Sequence, residues 1–178
     1  MIKPTDEQVE EFLIESNAIE RVYQNEYPFA LDDSKQAWII GVLNFKEDFS
    51  IDLILGIHRR LIKQLNKNIA GKIRDIPVYV GNKNGYRECL QHELIRERLT
   101  RLLKVWHDNK ESLNKMPDST KEVFIKQWHV DFEGIHPFQD GNGRTGRIIM
   151  NLQRLSVGLP LLIIHEGEEQ FEYYKWFK

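Results

Sequence analysis

Cysteine is almost missing from this chain: Cys89 stands alone among 178 residues. One thiol cannot close an intrachain disulfide, so the fold rests on packing, and a reducing compartment such as the cytoplasm is the expected home. Cys89 itself reads as a small apolar residue. Long apolar runs are missing too, and nothing approaches the roughly 20 residues a membrane-crossing helix needs. The opening MIKPTDEQVE has no apolar core of the kind a secretory leader carries. Charge of one sign is also lacking. The net charge of −2 offers no electrostatic case for nucleic acid or an anionic membrane. Neither repeats nor low-complexity stretches interrupt the chain. What is left is ordinary globular material, 41% hydrophobic and 29% charged, in a length that fits one domain with a sizeable core.

Helical periodicity dominates that material. A first helix is expected from about Thr5 to Tyr23, with Thr5 and Gln8 as a capping box. A second pattern follows Ser34. A third runs from Ser50 to about Asn66, with Ile51, Ile54, Ile57, Leu61 and Leu65 at helical spacing. Others cover Cys89 to Trp106 and Ser119 or Thr120 to Glu133. The last long one follows Asn142 and stops at Gly158, with Pro160 just beyond. One stretch differs. Ile76, Pro77, Val78, Tyr79 and Val80 are largely β-branched or aromatic, and Asn84-Gly85 is a turn signal shortly after. Pro77 cannot donate to a ladder, so this strand belongs at an edge. The fold class is therefore all-α with a small β-hairpin on a helical body.

The chemistry concentrates between His136 and Arg147. Glycines at 141, 143 and 146 let backbone N–H groups approach a ligand closely. The start of the following helix adds unpaired N–H groups and the positive end of a dipole. Arg144 and Arg147 share a face of that helix and can both meet a polyphosphate. Asp140 would repel phosphate unless a divalent cation bridged the two, and Mg²⁺ suits such oxygen ligands. His136 carries an imidazole, which takes a proton near neutral pH. These residues describe a phosphate-and-metal site with a histidine base. Two generic patterns fit here only by accident. Gly141 to Gly146 spells the dinucleotide fingerprint, but no strand precedes it. It also has P-loop glycine spacing, yet Arg147 and Ile148 replace the required lysine and hydroxyl.

The first helix holds an oddity. At about 100° per residue, Val9, Phe12, Leu13 and Tyr23 form an apolar stripe, and Ser16 and Glu20 fall in its middle. A carboxylate facing a core needs a cation, because an unpaired buried charge costs several kcal/mol. Arg147 is the natural candidate.

The loop matches, at every fixed position, the signature H-x-F-x-[D/E]-G-N-G-R-x-x-R of the Fic family, which this chain resembles. Gly71-Lys72-Ile73-Arg74 followed by Val78 to Gly81 is similar to that family's flap. Gly158, Pro160 and the Tyr173-Tyr174 pair are similar to its C-terminal part. Ser16 to Glu20 is similar to an inhibitory motif, [S/T]-x-x-x-E-[G/N], with Arg21 departing at the last position. A glycine there would stop the helix, whereas arginine is expected to let it continue.

The resemblance implies one domain over residues 1–178, with an inhibitory segment at 1–25, a flap at 71–85 and the signature loop at 136–147. It implies transfer of AMP from ATP to a Ser, Thr or Tyr hydroxyl of a target protein. His136 would be the base, Phe138 an anchor in the core, and Asp140 the Mg²⁺ ligand. Gly141, Asn142, Gly143, Arg144 and Arg147 would hold the phosphates, with Tyr174 against the adenine. Ile76, Pro77, Val78, Tyr79 and Val80 would dock the target as an added strand. Ser16 and Glu20 would restrain Arg147. Self-association is a further implication. Alternative readings are AMP removal, another nucleotide donor, a nucleotide-binding module with vestigial chemistry, and a metal-dependent hydrolase built on His129, Asp131, Glu133 and His136. For the last of these, His129 and His58 read instead as structural.

Overall fold

A computed structural model describes residues 3–82 and 85–177. Helix α1, Asp6–Ile19, starts with the expected reciprocal cap. The Thr5 hydroxyl accepts from Gln8 N at 3.2 Å, and the Gln8 side chain accepts from Thr5 N at 3.0 Å. Its other end corrects an expectation, because the helix stops at Ile19 and Arg21 does not extend it. Arg21 takes a left-handed conformation, φ 58°. Its N–H donates to Ala18 O at 2.8 Å and Val22 N–H to Asn17 O at 3.0 Å, the Schellman closure usually made with glycine. Tyr23 therefore lies outside the helix and its stripe, with its hydroxyl on Glu166.

Helix α2, Ala30–Asn44, starts ahead of Ser34. Ser34 is an internal buried residue whose hydroxyl donates to Asn17 Oδ1 at 3.1 Å, pinning α2 to α1. Helix α3, Ile51–Ile62, is capped by Ser50 as its polarity predicts, and it buries Ile54, Ile57 and Leu61. The flap follows. Strand β1, Tyr79–Asn82, pairs antiparallel with β2, Gly85–Glu88, with Tyr79 opposite Glu88 and Asn82 opposite Gly85. Ile76 and Pro77 precede the strand instead of forming it: Pro77 has no N–H to offer a ladder, and the Ile76 carbonyl is taken by a side chain. Asn84 of the expected turn lies outside the described residues. Cys89 is buried where the flap returns to the body, and its N–H donates to Val78 O at 2.9 Å. It does not begin the next helix.

A short 3₁₀ turn, His92–Leu94, leads into α4, Ile95–Leu113. Helix α5, Asp118–Ile135, runs up to the signature loop, and α6, Asn142–Ser156, leaves it. Helix α7, Glu168–Tyr174, and a final turn, Lys175–Phe177, complete the described chain.

Helix α6 is the axis of the molecule. It packs on α5, α3, α2 and α1, and almost every one of its residues is buried. Two of its polar residues near the C-terminal end are paired inside with backbone. Asn151 exchanges two bonds with the backbone of Leu162, at 2.7 and 3.0 Å, and Arg154 holds Pro160 O at 2.9 Å. Those bonds seat the segment beyond Gly158, whose φ of 85° ends the helix. On the far side Phe45, Phe49, Trp106 and Trp128 form an aromatic cluster under α4 and α5. The N-terminus of α6 is thus a fixed platform.

Candidate active site

The loop between α5 and α6 is built from its own backbone. His136 caps α5 in the left-handed region, φ 50° and ψ 64°, with its N–H on Phe132 O at 3.1 Å. That turn projects the imidazole where α5 ends. Phe138 dives into the core and stacks on His58, ring centroids 3.7 Å apart and planes within 1°. The Asn142 side chain closes the loop, accepting from Phe138 N and donating to Phe138 O, both at 2.9 Å. Its amide is spent on this staple, so only its backbone N–H is left to face a phosphate. Gly141, φ 79°, presses against α3, and a Cβ there would stand 2.6 Å from Ile62 Cδ1. No other residue fits.

Two histidine contacts tie the loop down. Gly71 N–H donates to His58 Nδ1 at 2.9 Å, so Nδ1 has no proton. The proton sits on Nε2, which donates to Asp140 O at 3.0 Å. His58 is therefore a neutral link between the root of the flap and the residue before Gly141. His129 Nε2 meets the Tyr173 hydroxyl at 2.9 Å, and that hydroxyl lies 3.3 Å from Arg147 Nη1.

Arg147 is 1% exposed and fully engaged. Its Nε donates to Ser16 Oγ at 2.9 Å, and Nη2 donates to Ser16 O and Glu20 Oε1, both at 2.8 Å. The Glu20 carboxylate covers the start of α6: a Cβ on Gly143 would stand 2.1 Å from Oε1. A carboxylate thus stands over the first turn of α6 with Arg147 bonded to it, a place where helix N–H groups and a guanidinium favour an anion. Its side chain stays 36% exposed, so the pair is reached by water on one side. Arg144 is also buried, with Asp140 Oδ2 3.9 Å away. Asp140 points outward and accepts from Gly141 N at 2.6 Å.

The expected residues therefore divide. Ser16, Glu20, Gly143 and Arg147 meet at one point, with Arg144 and Asp140 beside them and His136 at the other end of the loop. Tyr174 touches the segment before Glu20, its hydroxyl 3.4 Å from Ile19 O. Residues 76–80 belong to the flap and its approach. Sequence reasoning assigned no site role to Tyr173 or Arg74, and gave Glu133 one only in the metal-dependent hydrolase reading. Their signals were slight: one of two adjacent tyrosines, a carboxylate one turn after His129, and the arginine of Gly71-x-x-Arg74. A separate open cleft of about 570 Å³, between Phe49–Asp52 and α4, shares no lining residue with the site.

Three buried titratable groups around the loop give a pH signature. Burial pulls His58 from 6.5 down to about 4 and His129 down to about 3. Burial also pushes the Glu133 carboxyl, whose Oε1 is shut away from solvent, from 4.5 up to about 8. As pH falls below 6.5, the unfolded chain takes protons at both histidines and the folded chain does not, so stability drops. As pH rises from 4.5 to 8, the unfolded chain releases the Glu133 proton and the folded chain keeps it, which also lowers stability. Each group contributes about 1.4 kcal/mol per pH unit within its window. Below 6.5 the two histidines outweigh the carboxyl; above it the carboxyl acts without them. Urea unfolding is expected to show maximal stability near pH 6.5. Glu133→Gln should remove most of the alkaline decline, leaving the small share of exposed His165, which Glu11 and Glu169 hold above its ordinary value. Stability that kept rising to pH 8 in the unsubstituted chain would contradict this assignment.

Comparison with known proteins agrees with this geometry. A sequence model described as Fic/DOC family matches residues 48–153, which leaves α1 and α2 outside the match. The chain is 33% identical over 128 residues to Protein adenylyltransferase fic-1 of Caenorhabditis elegans, covering 72% of this chain and 23% of that protein. It is 30% identical over 148 residues to Protein adenylyltransferase Fic of Drosophila melanogaster, covering 82% and 28%. The chain thus spans about a quarter of the length of the curated relatives it matches. A Fic domain containing signaling protein from Bacteroides thetaiotaomicron shares the fold, with a TM-score of 0.80 at 19% identity over 96% of this chain and 70% of that one. The matched region contains the whole of the loop from His136 to Arg147, and the chain belongs to the Fic/DOC family.

Proposed function

We propose that this chain transfers AMP from ATP to a hydroxyl side chain of a target protein, and that Glu20 restrains the transfer. The observation that carries the reading is the occupied cradle. An N-terminus of a buried helix and a buried arginine converge on one anionic group, here the chain's own carboxylate, and a histidine stands at the end of the same loop. The names of the relatives, protein adenylyltransferases, support it.

In this reading the N–H groups of α6, Arg144 and Arg147 hold the phosphates and fix the α-phosphorus in front of His136. The target hydroxyl loses its proton to His136, its oxygen forms a bond to the α-phosphorus, and the bond to the β-phosphate oxygen breaks. Pyrophosphate leaves with its charge held by the two arginines. Asp140 would hold Mg²⁺. Its exposed single carboxylate fits an ion that keeps several waters and arrives with a nucleotide. Among the described residues no group of three His, Cys, Asp or Glu forms a cage that could hold a metal without one. Such an ion would supply positive charge to offset that of the nucleotide phosphates. The flap supplies target docking, since a two-stranded sheet leaves open edges and Tyr79 and Tyr86 stand exposed on it.

The test is label transfer from α-labelled ATP with Mg²⁺ to the chain itself and to a cell lysate, with Glu20→Gly as the active form. Label in Glu20→Gly, and none from γ-labelled ATP, supports AMP transfer. Label from the γ position would make the chain a kinase, and silence with every nucleotide would make it a binding module. The same Glu20 is reachable by water, which favours AMP removal as the second reading. Loss of AMP from a pre-labelled protein, requiring Glu20, would establish it.

A further inference from the structure

We infer that Arg74 is a positioning residue that sets the flap and the catalytic histidine in one register, an inference resting on the function proposed above. Arg74 is 2% exposed. Its Nε donates to His136 O at 2.7 Å, Nη1 to Ile76 O at 2.9 Å, and Nη2 to Leu90 O at 2.5 Å. Its own N–H donates to Pro137 O at 2.9 Å. One side chain therefore grips the base's own peptide and both roots of the flap, since β1 begins just after Ile76 and β2 ends just before Leu90.

The chemistry of the site argues for a coupling role. A buried guanidinium is costly, and among the described residues no carboxylate lies within ion-pair distance of Arg74. Three backbone carbonyls carry its charge instead, and a planar fork can reach three diverging acceptors at once where a lysine ammonium cannot. His136 also needs an external hold. Its left-handed conformation is unfavourable for a residue with a Cβ, and Arg74 grips the carbonyl that follows. His58 adds a second tie from the flap root, Gly71, to Asp140 at the far end of the loop. A segment docked on the flap is then referenced to His136 by a single rigid group. A displacement of about 1 Å at a reacting group can cost on the order of 100-fold in rate.

The experiment compares Arg74→Lys with the parent, both carrying Glu20→Gly. The expected result is a fall in kcat for AMP transfer of about 100-fold, with the KM for ATP changed less than about threefold. Amide exchange should rise together in the flap and across 135–138, and the His136 ring signals in ¹H–¹³C spectra should shift. A parallel fall in kcat and rise in KM would assign Arg74 to general stability, and unchanged kcat would remove the coupling altogether. A second variant avoids the core. Val80→Pro deletes a ladder N–H in the half-exposed flap, opposite Arg87. In an otherwise unsubstituted chain it should raise exchange at 135–138 and shift His136. No change there would overturn the proposal even if Arg74→Lys failed to fold. These exchange and spectral readouts need no turnover, so a chain that transfers no AMP would sink the proposed function and still test Arg74.

Discussion

Glu20→Gly is expected to raise AMP transfer from α-labelled ATP by roughly 10- to 100-fold. The estimate follows from what the carboxylate does now. It makes a charge-assisted bond to a buried guanidinium, of a kind worth about 1.5–3 kcal/mol, and a free-energy difference of that size is a factor of about 10 to 100 in effective affinity. It also stands over Gly143, where a phosphate on the α6 N-terminus would stand. Removing it opens the position and frees one guanidinium N–H, while Ser16 and Tyr173 still orient Arg147. Glycine is tolerated at this helix-terminal position, φ −95° and ψ 10°. The variant should melt lower than the parent, because a 1%-exposed arginine loses its only carboxylate partner among the described residues. ATP should restore part of that loss by mass action. Equal transfer rates in the two proteins would show that Glu20 is no brake. A variant that melted lower and failed to recover with ATP would show that Arg147 does not hold the nucleotide.

How much of this was legible in the sequence depended on how local each feature is. The loop was readable because its chemistry needs glycines and an arginine pair in a short span, and nothing else explains them together. The cap at Thr5, the start of α3 at Ser50 and the stop at Gly158 were readable because each is settled within a few residues. The Ser16–Glu20–Arg147 meeting spans most of the chain. It was still visible, because Ser16 and Glu20 interrupt an apolar stripe, although Glu20 caps the helix half-exposed instead of facing the core. The end of α1 was misread for a physical reason. The rule for helix stops looks for glycine, whereas here the closing bonds to Asn17 and Ala18 hold Arg21 left-handed. The flap strand was displaced because Arg74 takes the Ile76 carbonyl, which no pattern of side chains records. Arg74 was hidden for the same reason: all its acceptors are backbone carbonyls, and any residue could supply them. His58 and Phe138 each looked like core residues, and only their stacking shows that one braces the other.

His136→Asn is expected to lower transfer by about a thousandfold while leaving ATP binding within about twofold. Asparagine is the better probe than alanine. Position 136 has φ 50°, and asparagine enters that region at less cost than other residues with a Cβ, so the cap of α5 survives. The Arg74 bond survives as well, because it uses the backbone carbonyl of residue 136 and not its ring. What is lost is the imidazole. A positioned general base contributes about 10²- to 10⁴-fold, and asparagine cannot accept the proton that the target oxygen gives up. The phosphate side of the site is untouched, since Arg147 and the start of α6 are held by Ser16, Tyr173 and the Asn142 staple. Calorimetry with ATP and Mg²⁺ on Glu20→Gly and on Glu20→Gly/His136→Asn checks the binding half, and label from α-labelled ATP checks the rate half. Binding lost together with rate would move His136 from the base to the phosphate cradle. Full rate in the double variant would mean that proton removal is not assisted by this residue, and the assignment of the base would fall while the cradle stood.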